Sequence, residues 1–502
     1  MNKIPELKAS VLEQAKSPEL GQYVWKNGIG LQMGYAFSVI HALAYSFIGF
    51  QTAYLATRWN PIYWDTACLV VNSGSLETAE DDDNENKKES STDYGKLAKA
   101  LGDIIEQGIK VSLVDINRSS YGFKPDVENN QILFGMKALS NVGAPIIEKI
   151  IEGRPYKSLK DFMNRCPLSK TPMISLIKAG AFDNISAATA AELGVNPRIF
   201  SMVYYLSKVA DKKNRLTLQN FKGLVDHDLI PDKLNLQKKV FVFNKYLKSH
   251  KDGNYYYFEE EYNNFYRENF NEDNLEIIRG VPHILQTVWD KNYKSIMEVA
   301  KDWLKENQSD LLERYNTLLF KETWDNYAKG TLSAWEMEAL CFYYHEHELE
   351  GIDINKYGIV NFFDLPSEPI VERTFKRNGR EIPLFALSRV AGTVISKNDS
   401  RSSITLLTKE GVVNVKFTKE YYAMFGRQIS EVQSDGTKKV MEKGWFVRGT
   451  KLLVTGFRRD DTFVSKNYKS YGGHQLYKIT KVDKNKNIEL THNRYGVYDE
   501  ED

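Results

Sequence analysis

Around Pro383 the spacing of apolar residues changes from a helical period to a period of two, and one kind of secondary structure cannot satisfy both. Before that point the pattern is mostly helical. After it, Arg389 to Ile395 reads as a strand. Ile404 and Leu406 alternate in a second strand, and Val413, Val415 and Phe417 in a third, with Lys409-Glu410-Gly411 as the hairpin turn. Lys419 to Gly426 reads as a short helix, and Lys451 to Phe457 and Gln475 to Val482 as two more strands. Strand, strand, strand, helix, strand, strand within about 100 residues is the order of an OB-fold barrel, an order that any small Greek-key barrel shares. The expected fold class is therefore multidomain α+β: a largely helical N-terminal two-thirds, then an all-β barrel.

The helical part is divided by composition. Residues 1–75 are apolar and helical, and Tyr35 to Leu55 reads as a buried helix pair. Residues 76–93 turn small and acidic, around Asp81-Asp82-Asp83, and read as a linker or loop. Tyr94 to Gln107 places Leu97, Leu101, Ile104 and Ile105 on one helical face, and Gly108 stops the helix. Val111 to Asn117 reads as a short strand. Ile132 to Ile185 breaks into three or four short helices, which gives a unit over 94–185. A helical, aromatic-rich connection follows over 186–383, with a polar aromatic insert at Lys251 to Asn274. The barrel is expected over 384–485 and a tail over 486–502.

The formal net charge of +1 argues against a uniformly basic protein, yet Phe385 to Val482 carries 18 Lys/Arg against 8 Asp/Glu, a net +10. A local excess of this size suits an anionic partner met at one place. Arg458, Arg459, Phe463, Lys466, Tyr468 and Lys469 interleave cations with rings after Phe457, read as the loop between the fourth and fifth strands. That composition suits single-stranded nucleic acid, with rings stacking on bases and cations following phosphates, although a solvated basic hairpin would look the same. Cys68, Cys166 and Cys341 lie too far apart to suggest a disulfide framework or zinc site, and fit a reducing cytoplasm. No membrane span is expected, because Ser38, His41, Ser46 and Gln51 interrupt the most apolar run. His345 and His347, two apart, do not share a helix face and are not read as a metal site.

Five blocks carry a resemblance to a known family. They are Tyr35 to Leu55; Gly108 to Asn117; Phe134 to Gly143; Tyr156 to Phe162 with Leu176 to Asp183; and Trp335 to Tyr343 followed by His347 and Leu349. In this order they resemble the C-terminal portion of the bacterial-type DNA polymerase III alpha subunit, a C-family polymerase: the end of the fingers, a helix-hairpin-helix and an OB-fold. Trp59 to Trp64 is most similar to the versions carried by large tailed bacteriophages. The sequence departs from the family at Val39, where many relatives carry Lys, at Leu113-Val114, where paired prolines are usual, and at Asn141, where Gly is commoner but Asn is suited because it enters the left-handed region more easily than most residues.

The resemblance implies a part of a DNA-directed DNA polymerase, a nucleotidyltransferase working in the bacterial cytoplasm, or the host's if the chain is phage-encoded. His41 and Tyr45, one helical turn apart, would face the incoming nucleotide, with Arg58 or Lys26 supplying a phosphate contact. Ser140, Asn141, Val142 and Gly143 would hold duplex DNA through a tight turn permitted by Gly143 and through N–H groups at the following helix start, with Lys137 and Lys149 adding charge. The arginines, lysines and rings of the barrel would meet single-stranded template. Catalysis in this family needs palm carboxylates holding Mg2+. The two Asp-x-Asp spacings, Asp81/Asp83 and Asp226/Asp228, follow the fingers, where no palm belongs. No catalytic residue and no metal is therefore expected here, and Mg2+ is expected on another, palm-containing chain. The chain alone is expected to be inactive, with a sliding clamp as a further partner; Phe362-Phe363 and Ile284-Leu285-Gln286 are weak matches to a clamp-binding peptide. The alternatives are a non-catalytic DNA-binding accessory protein derived from a polymerase, and a piece of a longer single polypeptide.

Overall fold

The computed structural model describes residues 4–29, 39–74, 92–377, 380–432, 438–468 and 472–495. Most of the expected acidic linker, with Asp81 and Asp83, lies outside the described residues. Val39–Arg58 is one continuous helix and not a buried pair. Its polar residues do not break it, because the Ser46 and Thr57 hydroxyls donate to the carbonyls of Ala42 and Ala53 one turn back. Nor is it buried: Ile40 is 81% exposed, Phe50 69% and Tyr45 64%. Asn60 then caps a second helix, its side chain accepting from the Ile62 N–H at 3.1 Å, with Pro61 at the first position. Ile62 and Leu69, two turns apart, carry that helix into the main core.

The main core gathers helix Tyr94–Glu106, a small three-stranded sheet, the short helices from Ala144 to Val209 and helix Leu332–Leu340. Leu97, Leu101 and Ile104 enter it while Ile105 turns outward, and Gly108 ends the helix at φ +79°. The strand expected over Val111 to Asn117 is only Lys110–Val111. The chain turns away because the Asp115 carboxylate accepts from the N–H groups of Asn117 and Arg118 at 2.7 and 3.1 Å, closing a side-chain turn. Gln131–Leu133 lies between Lys110–Val111, which it parallels, and Lys124–Asp126, which it opposes.

Residues from Leu216 to Tyr315 bury two further apolar cores. The aromatic insert supplies only the first two strands of a four-stranded antiparallel sheet, in the order Lys251–Asp252, Tyr255–Tyr257, Val281–Leu285, Leu275–Ile278, whose other two strands lie beyond its expected end at Asn274. Arg279 and Gly280, both at positive φ, make the two-residue turn between Leu275–Ile278 and Val281–Leu285.

The barrel closes through five strands: Ser388–Asn398, Ser403–Leu407, Val412–Lys416, Lys451–Arg459 and Thr462–Ser465, with helix Lys419–Gly426 between the third and fourth. The first strand pairs antiparallel with the second and fourth, and the third runs parallel to the fifth, which is the OB-fold arrangement. The fifth strand is therefore Thr462–Ser465 and not the expected Gln475 to Val482. Leu476–Val482 is an additional strand laid against the fourth, and Ile488–Thr491 follows it within the expected tail. Two hairpins stand outside the barrel sheet, Val371–Arg377 with Arg380–Phe385 and Ile429–Val432 with Lys438–Glu442.

Barrel and helical part share side chains. Ala98 of helix Tyr94–Glu106 packs with Cys341 and Ile395. Arg448 stacks over the Tyr94 ring at 4.1 Å, donates to the Ile395 carbonyl at 3.2 Å and reaches the Ser140 hydroxyl at 2.6 Å. His347 adds a neutral link: burial holds its imidazole below the ordinary value. The Leu349 N–H donates to Nδ1 at 3.0 Å, so Nε2 carries the proton and donates to the Leu407 carbonyl at 3.1 Å. Among the described residues no helix is long and apolar enough to cross a membrane.

Candidate nucleic-acid interface

The hairpin is built from Met136–Ala138, the turn Ser140 to Gly143 and helix Ala144–Glu152. Asn141 takes the left-handed conformation at φ +64°, as the substitution for Gly suggested, and its amide donates to Ser175 Oγ at 3.2 Å. Gly143 does not make the tight turn: it is extended at φ −86°, ψ 166°. A Cβ added there would meet only Pro145 Cδ at 3.9 Å, so nothing inside the chain demands glycine. Its backbone is exposed at the start of a helix, where N–H groups lack helical partners. Val142 is buried in the main core and anchors the turn. Ser140 faces inward, only 8% exposed, with its hydroxyl accepting from Arg448. Lys149 is exposed beyond the turn and Lys137 is half-buried.

On the first long helix the rings of His41 and Tyr45 lie 4.6 Å apart, and both residues are exposed. Arg58 is at the far end of the same helix, its guanidinium 5.5 Å from the Tyr54 ring centroid. At a rise of about 1.5 Å per residue, His41 and Arg58 are roughly 25 Å apart and do not form one site.

The barrel residues divide more sharply. Phe463 is fully buried in the barrel core. As the inward residue of a strand that alternates burial, it has no face to offer a base. Arg458 is also spent internally, donating to the carbonyls of Phe362, Phe363 and Leu365 at 3.4, 3.2 and 2.8 Å while stacking over the Phe362 ring. Arg459 is exposed and lies over the Phe385 and Phe457 rings, and Lys466 is exposed near the Tyr468 ring. The Tyr468 hydroxyl accepts from the Phe385 N–H at 3.0 Å. Lys469 lies outside the described residues. The expected loop between strands four and five is really the tight turn at Asp460-Asp461, and 466–475 follows the fifth strand.

The sequence did not reveal a buried charge cluster at the back of the hairpin module. Arg198, 2% exposed, donates to Asp183 Oδ2 at 2.8 Å and to Glu336 Oε1 at 2.9 Å. Glu336, fully buried, also accepts from the N–H groups of Tyr344 and His345 at 3.0 Å and is 2.6 Å from His345 Nδ1. Arg198 sits in a helix outside the resembling blocks, so no local signal pointed to it. Asp226 closes a short helix and Asp228 stands at φ +54°, a turn and not a palm strand. Phe362 is buried in the barrel core and Ile284 in the insert's sheet, so neither weak clamp-peptide match is a free segment. Burial pushes the Cys341 thiol up to about 12, which leaves it unreactive at neutral pH. Among the described residues no group of three or more His, Cys, Asp or Glu is placed to hold a metal.

A helix-hairpin-helix motif family matches residues 108–191, the segment that contains the turn. The chain is 37% identical over 499 residues to "Probable DNA polymerase YorL" of Bacillus subtilis (strain 168), covering 97% of this chain and 37% of that protein. The DNA-directed DNA polymerase of Bacillus phage SPbeta matches to the same extent. The DNA polymerase III subunit alpha of Thermus aquaticus is 36% identical over 156 residues, 30% of this chain and 11% of that protein. The chain thus spans little more than a third of the length of the first two curated relatives. Its blocks, its hairpin motif and its barrel together make the chain similar to the C-terminal type of the DNA polymerase III alpha subunit.

Proposed function

We propose that the chain is the DNA-holding and nucleotide-closing portion of a replicative DNA polymerase, and that it joins a separately encoded palm chain whose carboxylates hold Mg2+ and catalyse nucleotidyl transfer. The observation that carries this reading is helix Val39–Arg58, which is exposed along nearly its whole length although Ile40, Leu43, Phe47, Ile48 and Phe50 are all large and apolar. A surface of this kind is costly to leave in water and marks a docking site. The residues that resemble the fingers lie on it, so a palm is the partner of matching chemistry. Primer extension tests the assignment. This chain alone is expected to incorporate no nucleotide, and its addition to the palm chain is expected to raise extension well above the palm chain's own level. No gain on mixing would reject the assignment.

In this reading Asn141, Gly143 and Lys149 face duplex phosphates, His41 and Tyr45 the nucleotide, and Arg459, Lys466 and Tyr468 the template. Gly143→Ala separates grip from folding, because the extended backbone accepts a methyl group and the neighbouring space is open. Stability is expected to change by no more than about 0.5 kcal/mol. Affinity for blunt duplex DNA, read by fluorescence anisotropy, is expected to fall about tenfold, ~1.4 kcal/mol, as the methyl group holds a phosphate off the helix start. An unchanged affinity would remove the hairpin from the interface.

A further inference from the structure

The hairpin formed by Val371–Arg377 and Arg380–Phe385 is an isolated two-stranded sheet. Such ribbons are marginal in water on their own, so something must hold this one out. Its base does. Phe385 packs against Phe457 of the fourth barrel strand at 4.6 Å and donates its N–H to Tyr468. Ala386 N–H donates to the Ile370 carbonyl at 2.9 Å, and Asp460 N–H donates to the Ser367 carbonyl at 2.7 Å. The ribbon therefore leaves the barrel beside the turn between its fourth and fifth strands, next to Arg459, Lys466 and Tyr468.

Its composition is not that of a strand made to pair with another protein. Residues 371–385 carry four Lys/Arg against two Glu, and charged edges of this kind discourage strand addition. Arg373 and Phe375 share one face by the period of two, and Phe375 is 42% exposed. Lys376 lies on the other face, its side chain 77% exposed and only loosely paired with Glu381 at 3.9 Å. Cations interleaved with open rings, continuous with Arg459 and Tyr468 at the base, are the composition of a surface that follows a phosphate backbone and stacks on bases.

We propose that this ribbon is a second nucleic-acid contact, an arm that lies along single-stranded DNA beyond the barrel. The proposal rests on the polymerase reading above. The test uses the full chain and two probes of equal duplex length, one blunt and one with a long single-stranded thymidine overhang. The wild-type chain is expected to bind the overhang probe at least tenfold more tightly. The combined variant Arg373→Ala, Phe375→Ala, Lys376→Ala is expected to lose that advantage while binding the blunt probe as before. Its logarithmic salt slope on the overhang probe is expected to flatten by about 1.4, roughly 0.7 for each cation removed. Lys376→Glu, a single exposed substitution, is the control for folding and is expected to weaken overhang binding alone. An unchanged overhang advantage in both variants would overturn the arm. Equal losses on both probes would place the ribbon on duplex DNA and overturn the single-strand assignment. A wild-type chain that bound neither probe would overturn the polymerase reading and the arm with it, whereas retained Gly143-dependent duplex binding beside an inert ribbon would sink the arm alone.

Discussion

Arg198→Ala is expected to destabilise the helical part by about 3–5 kcal/mol, because removing one partner of a buried charge group strands the others. The stranded group is Glu336, fully buried, whose Oε1 receives the Arg198 guanidinium at 2.9 Å. Asp183 loses its partner in the same step, and its Oδ1 is already buried without a hydrogen bond. Arg198→Lys is expected to fall between the two, since an ammonium cannot fork to both carboxylates as a guanidinium does. The urea midpoint reads the effect, with an unchanged slope showing that the same surface unfolds. Combining Arg198→Met with Glu336→Gln is expected to cost less than the sum of the single changes, because the fully buried carboxylate is then no longer left without its counterpart. Strict additivity would show that Arg198 and Glu336 are neighbours without being coupled.

Phe463→Ala is expected to cost about 3–5 kcal/mol, the range for emptying a buried aromatic site. The ring is fully buried among Val415, Val454 and the rest of the barrel core, and its strand closes the barrel against both the third and the fourth. Phe463→Leu keeps most of the volume, so it is expected to cost much less and to leave single-strand binding as it was. A leucine variant that was stable yet deficient in DNA binding would return the ring to the interface and contradict its burial. Thermal melting and anisotropy on the same preparations separate the outcomes.

These two residues show what could be read from the sequence. The first three barrel strands and their helix were legible because Ile404, Leu406, Val413 and Val415 alternate over runs long enough to exclude a helix. The fifth strand was not, since Thr462 to Ser465 is four residues long and sits between charged neighbours. Its inward Phe463 therefore resembled a ring displayed in a basic loop. Asn141 was legible as a left-handed residue because few side chains tolerate that conformation, whereas the role of Gly143 depended on space that only the fold defines. Arg198 meets Glu336 across 138 positions, and no local pattern encodes that pairing. The long apolar helix failed differently. Its composition read as interior, and composition cannot say whether the matching surface is on the same chain.

Helix Tyr94–Glu106 belongs to two cores at once, with Leu97 and Leu101 in the helical one and Ala98 against the barrel's Ile395. Arg448 fastens the same junction by reaching from the barrel to Ser140, next to the exposed turn. Any duplex seated on that turn therefore has its distance to the barrel set by the protein and not by a tether. In the proposed reading the pair would act as a fixed gauge: the number of nucleotides between the last gripped base pair and the first strand contact would be a property of the fold, the same for every sequence that passes through.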